Sequence, residues 1–474
     1  MTKILLLEFN EICPPLLERW MAAGRLANFA RFHAGSQVFT TVADELDPVN
    51  LEPWIQWYSI HTGLPFREHR VFRLTDGPKS AHGDIWRHLQ SHGRTVMNCS
   101  SMNARAITGE RAFFLPDPWC ATQPAHPPEL QTYNEFVSRM VQEYSREHGV
   151  LSFRETASFV RFLATHGLSP ATVLAILSQL ADERIARSDV KWKRAALLDR
   201  LQLGVFQHYY RRLRPDFATF FINSTAHLQH TYWRHMDPEP FSIKPSTDER
   251  AAYGDAILFG YQAMDTLLRE FERLVDDDTV TILCSALSQQ PFLRREGDGG
   301  QHFYRLRDVA ALLRRLAIAP QSVEPVMTHQ YVLRFGSPAE VEAAVAALRA
   351  VRLADQEVFA AVPSERLSLY IGCQLYERVA ADAAVTGLRY ENAPVRFFDL
   401  FYAIDAIKSG CHHPDGVLWI RTGRHAVHRE RVSILDIAPT ICELIGVPGD
   451  INARGGGTSL VPAFSGGFAE RLAS

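Results

Sequence analysis

The sequence predicts an α/β sandwich whose central sheet is mostly parallel and is interrupted by two cap insertions. Three observations lead there. Short unbroken apolar runs, the mark of strands buried on both faces, alternate with amphipathic stretches of helical period. Glycine stops and polar loops separate the two. The alternation fails over only two long segments, residues 130–213 and 325–395.

The first run, Lys3 to Leu7, reads as a buried central strand that delivers Glu8, Asn10 and Glu11 to its carboxyl end. A helix follows, opened by Pro14 and Pro15, with Leu16, Leu17, Trp20 and Met21 on one face and Gly24 as its stop. Ligands of open α/β sheets sit outside the carboxyl ends of the strands, so these polar residues face a site; the alternative is that Glu8 and Glu11 cap the helix or lie in solvent. Val38 to Val42 is strand-like, and Asp47 to Pro53 is a loop kept out of helix by its two prolines. The stretch Trp54 to Thr62 is helical in spacing and ends at Gly63, and Ile85 to Gly93 followed by Thr95 to Asn98 repeats the pattern of helix, glycine and strand.

Residues 130–213 show helical periodicity throughout and read as a helical insertion, a cap over the site. The sheet resumes at Phe217 to Ile222 and, after a long helix near Tyr253 to Leu274, at Thr279 to Cys284. Residues 325–395 read as a compact α+β insertion, with strands at Gln330 to Phe335, Glu357 to Ala361 and Leu367 to Ile371 around a helix from Ala339 to Ala350. Val417 to Ile420 is a last strand and Ser433 to Gly446 a closing helix. The expected organisation is core 1–129, helical cap 130–213, core 214–324, small insertion 325–395 and core 396–474.

Composition narrows the function classes. With 46% hydrophobic and 22% charged residues and a net charge of −3, the chain reads as an ordinary soluble protein with no case for a nucleic-acid partner. No run approaches the roughly 20 apolar residues of a membrane span, and the first run is too short for a signal segment, so neither a membrane association nor export is expected and the cytoplasm is the expected location. The seven cysteines are odd in number and never spaced as C-x-x-C, so reduced thiols are expected.

Five segments in order resemble the alkaline phosphatase superfamily, in particular its phosphodiesterase and nucleotide pyrophosphatase branch. They are Glu8 after the first strand; His61 to His69, similar to T-G-x-x-P-x-x-H; His230 followed by a W-x-x-M-D-P tail ending at Pro238; His412 within Gly410 to Gly416; and the S-I-L-D-I-x-P-T helix from Ser433. The resemblance implies a three-layer sandwich and a site that holds divalent ions around a Thr or Ser nucleophile. The chain departs from that chemistry. Ala226 stands where an Asp is expected, Ala286 and Leu287 occupy further ligand positions, and Glu52 and Pro53 offer no hydroxyl where the nucleophile belongs.

What remains is a polar set expected to gather at strand ends. The resemblance implies one divalent ion, zinc or manganese, held by Glu8, His230 and His412, with His227 as a further imidazole, or no metal at all. Glu8, Glu52 and His230 are the candidate catalytic residues, as base, nucleophile or electrophilic stabiliser. Asn10, Glu11, Gln56, Asn223, His227 and Gln289 are the candidate substrate contacts, and Gln290 and His413 lie beside them. His61 and His69 are read as bonded to backbone carbonyls, and Trp54, Trp57, Trp233 and Trp419 as core. Two functions compete: a divergent hydrolase or transferase acting on a phosphorylated, sulfated or related ester-type small molecule or glycan, and a non-catalytic member that binds a ligand or protein in the same cleft.

Overall fold

A computed structural model describes residues 2–120, 123–142, 152–185, 189–326, 329–364, 367–388, 394–404 and 407–464. One sheet organises it. In spatial order its strands are Ala426–Val427, Ser36–Val42, Asp415–Arg421, Thr279–Ser285, Lys3–Phe9, Phe217–Ile222, Val96–Cys99 and Ala112–Leu115, with Val432–Ser433 also pairing Ser36–Val42. All pairings are parallel except the two made by Asp415–Arg421, which runs antiparallel to both neighbours. The five strands expected near Lys3, Thr95, Phe217, Thr279 and Val417 therefore share one sheet.

Each face of the sheet is covered by helices, which gives three layers. Leu5, Leu7 and Phe9 point into one core, shared with the helices Pro14–Ala22, Ala27–His33 and Ala256–Leu274. Ile4 and Leu6 point into the other, shared with Pro53–Thr62, Ile85–Ser91 and Ile437–Ile445. The period of two along a strand makes this division. It also fixes where Glu8 goes, because Glu8 follows Ile4 and Leu6 onto the second face.

The described part of 130–213 is helical, as expected. Its last helix, Arg194–Leu213, buries Leu203, Phe206 and Tyr210 in the first core, so the segment builds one outer layer of the sandwich besides any covering role. The small insertion is larger than expected. Its core runs from Tyr304 to Phe401 and includes a three-residue strand pair, Tyr304–Leu306 with Phe401–Ala403, too short to be read from periodicity. Within it, Tyr331–Arg334 and Ser368–Cys373 pair antiparallel beside the helix Pro338–Arg349. Trp57, Trp233 and Trp419 are buried as expected, while Trp54 is partly exposed. All seven cysteines are free thiols, six of them buried. Among the described residues no helix is long and apolar enough to cross a membrane.

Candidate active site

Beyond Phe9 the central strand makes its last sheet hydrogen bond through Asn10 N to Ile222 O, 3.1 Å, and then turns sharply. Glu11 takes φ of +60°, a left-handed conformation that costs a non-glycine residue on the order of 1 kcal/mol. The turn is held from below. Gln229 Nε2 donates to Glu11 O at 2.8 Å, Tyr261 OH donates to Gln229 Oε1 at 2.9 Å, and Cys13 N donates to Tyr261 OH at 2.7 Å. This buried chain fixes the direction of the Glu11 carboxylate.

Three elements meet that carboxylate. Helix Ser224–Met236 brings His230, whose Nε2 lies 3.1 Å from Glu11 Oε2. Strand Gly410–His413 brings His412, whose Nε2 lies 3.6 Å from the same oxygen. The partner strand Ser288–Pro291 brings Gln289, whose Nε2 donates to Glu11 Oε2 and, at 3.0 Å, to Ala226 O. On the other side Asn10 Nδ2 donates to Glu11 Oε1 at 2.9 Å and to Asn223 Oδ1 at 2.7 Å, while Trp57 Nε1 donates to Asn10 Oδ1 at 2.8 Å. Glu52 occupies the N-cap position of Pro53–Thr62, and its Oε2 lies 3.6 Å from His412 Nδ1.

The sequence expectation therefore needs one correction: the carboxylate between His230 and His412 is that of Glu11, not Glu8. Glu8 is fully buried on the opposite side of the strand, where its Oε1 lies 2.8 Å from His61 Nε2. His61 and His69 also depart from the carbonyl contacts expected of them. His61 pairs with Glu8, and His69 lies 3.0 Å from Ser59 Oγ and accepts from Val71 N at 2.9 Å. Gln56 is buried and accepts from Asp44 N at 2.8 Å, tying down the loop before the helix. His227 sits one turn before His230 on the same helix and is exposed. Gln290 donates to His412 O at 3.0 Å and His413 Nδ1 accepts from Asp415 N at 3.2 Å, so both shape the strand pair.

The electrostatics divide the two carboxyls. Burial alone would raise Glu11, but the imidazoles of His412 and His230, in their protonated forms, and the hydrogen bond from Gln289 hold it down, to about 2. Glu52 moves the other way, to about 8, because burial disfavours its charge and Glu11 repels it, against the pull of Lys408. Burial lowers His412 to about 4, against the attraction of Glu11, so it is a neutral imidazole at neutral pH.

These residues fit a cation. His230 Nδ1 lies 3.0 Å from Gly410 O, which can only accept, so Nδ1 carries the proton and Nε2 turns a lone pair toward the Glu11 carboxylate. Two acceptors at 3.1 Å repel unless a proton or a metal ion lies between them. One ligand atom each from Glu11, His230 and His412 all lie within 4.8 Å of one another. A backbone carbonyl orienting the outer nitrogen is the usual support of a metal-binding histidine. Sequence reading placed Glu11 among substrate contacts; its signal for the central role was being the second acid after the strand, in a turn whose φ the sequence does not show. Lys408, close enough to act on both Glu52 and His412, was missed because it lies in a loop without a motif.

Solved structures with a similar chain course include phosphonoacetate hydrolase from Sinorhizobium meliloti 1021 in complex with phosphonoformate, at 12% identity over 94% of this chain and 96% of that one, with a TM-score of 0.40. Wild-type alkaline phosphatase PafA is similar at 12% identity over 97% and 98%, TM-score 0.43. The phosphonate monoester hydrolase of Agrobacterium radiobacter is similar at 13% over 98% and 78%, TM-score 0.42. These structures assign no role to any residue here. No protein-family model and no curated protein matches the sequence.

Proposed function

We propose that this chain is a hydrolase or transferase acting on a phosphorylated, sulfated or related ester-type small molecule or glycan, with one divalent cation, zinc or manganese, held by Glu11, His230 and His412. The observation that supports it is the convergence of two Nε2 atoms on Glu11 Oε2, with Glu52 immediately behind His412. A bound cation supplies Lewis-acid polarisation of an ester oxygen. Lys408 adds positive charge for an anionic group. Glu52 holds a proton at neutral pH beside His412, and that proton can pass to a leaving oxygen and be recovered from the attacking water or hydroxyl. Asn10 and Gln289 keep the Glu11 carboxylate in place.

The experiment is elemental analysis of the purified protein with calorimetric titration of Zn²⁺ and Mn²⁺ into wild type, Glu11→Gln and His412→Ala. Uptake of one ion by wild type, lost in both variants, is expected; a wild type that takes up neither ion rejects the cation. A second reading, ligand binding without turnover, draws on the fully buried Ala286 and Leu287, apolar where the resemblance implies metal ligands. It requires a ligand that binds and is recovered unchanged.

A further inference from the structure

The small insertion turns one face of its sheet away from its own core. Along Ser368–Cys373, the side chains of Leu369, Ile371 and Cys373 fill that core, so the period of two sends Tyr370 to the opposite face. There Tyr370 meets the body of the protein, with the Arg73 guanidinium over its ring, 5.8 Å from the centroid. Arg73 is tied to the start of the helix that Glu52 opens, because Asn103 Nδ2 donates to Arg73 O at 3.0 Å and to Trp54 O at 3.3 Å. Burial raises the Tyr370 hydroxyl, Arg73 draws it down and Glu52 pushes it up again, so Tyr370 feels the charges of both. Two further cations lie over rings: Lys408 Nζ is 4.9 Å from the centroid of Phe292, and the Arg295 guanidinium 5.1 Å from that of Tyr376. Lys408 precedes Ser409, whose N donates to His230 O at 2.8 Å. Among the described residues none of Arg73, Arg295 and Lys408 forms an ion pair, and the neighbouring Glu296 is taken by Arg234 at 2.7 Å.

We propose that Arg73 and Lys408, with Tyr370 holding the first of them, form a second anion subsite beside Glu52, so that the substrate carries an anionic group in addition to its ester. This rests on the reading of Glu11, His230 and His412 as the ester-binding centre. A ring face holds a cation without using its N–H donors, so the donors of Arg73 and Lys408 stay open. Both residues are half-buried, and a cation withdrawn from water without a partner gains most from an anion that supplies one. The planar fork of Arg73 takes two oxygens of one group, and Lys408 adds a point charge between that group and the ester. Glu52 does not oppose the anion, since it is protonated at neutral pH. The substrate class is therefore a doubly anionic small molecule or sugar, whose second group is a phosphate, sulfate or carboxylate.

Calorimetric titration of the full chain with glucose 1-phosphate and with glucose 1,6-bisphosphate tests this, with Zn²⁺ and Mn²⁺ uptake measured in parallel. The bisphosphate is expected to bind about ten-fold more tightly or better. Arg73→Gln removes that advantage, whereas Arg25→Gln, which deletes the same charge at an exposed position elsewhere, keeps it. Tyr370→Phe keeps the ring and the advantage, and Tyr370→Leu lowers it about three-fold or more. A wild type that binds the two sugars equally or binds neither, or an Arg73→Gln variant whose advantage matches that of Arg25→Gln, overturns the proposal. An advantage shown by a protein that takes up neither ion rejects the cation and supports the subsite; uptake of an ion without the advantage rejects the subsite alone.

Discussion

Glu8 Oε1 and His61 Nε2 meet at 2.8 Å with both side chains at or below 2% exposure, on the face of the central strand opposite the core that Leu5, Leu7 and Phe9 fill. The pair ties the strand to the helix Pro53–Thr62, at whose start Glu52 stands. Three residues further on, Glu11 meets His230 and His412. Two acids of one sequence segment therefore do separate work, one fastening the scaffold and the other lining the site.

That separation is measurable. Removing one member of a buried pair leaves the other without its partner and costs about 3 kcal/mol. Glu8→Ala is expected to lower unfolding stability by that order while cation affinity in the folded protein stays within a few-fold of wild type. Glu11→Ala is expected to abolish cation binding. Chemical denaturation and calorimetry on the two variants check both, and equal loss of cation binding would falsify the assignment.

The site's pH response follows from Glu52 and His412. Activity that depends on a protonated Glu52 falls as pH rises through about 8, and activity that depends on neutral His412 falls as pH drops toward about 4. Glu52→Gln is expected to remove the alkaline limb and to lower kcat by roughly 10²-fold or more. A profile whose alkaline limb persists in that variant assigns the proton elsewhere.

Stability should fall on mild acidification, and His69 is one cause. Burial lowers its pKa to about 3, so the native imidazole stays neutral where the unfolded one, near 6.5, takes up a proton. Its contribution is fully present above pH 6.5 and is lost as pH falls from there toward 3, at up to about 1.4 kcal/mol per unit. His69→Asn, which keeps a side chain able to bond Ser59, should flatten the curve between pH 6.5 and 4; denaturant midpoints measured across that range provide the check.

Simple chromogenic phosphate esters are expected to be turned over very weakly or not at all. Ala226, Ala286 and Leu287 are buried, no hydroxyl stands at Glu52 or Pro53, and at most one cation fits among the three ligands, so a doubly clamped phosphoryl transition state has few partners. Turnover at the rate of an ordinary phosphatase, copurifying through several columns and lost in His230→Ala, would contradict this.

By itself the sequence determined the sandwich, because apolar runs of strand length and amphipathic helices are local patterns that survive without coordinates. Lys3 to Leu7, Phe217 to Ile222 and Thr279 to Cys284 all lie in the sheet where the runs placed them. The closeness of His230 and His412 was legible through their motifs. Only the tertiary structure decided which acid joins them. A strand's alternation sends Glu8 to the face of His61, and the positive φ of Glu11 redirects the chain so that the next acid reaches across to helix Ser224–Met236 and strand Gly410–His413. Neither the turn's handedness nor the contacts of Gln229 and Tyr261 that hold it have a local signature, since residues more than 200 positions apart supply them.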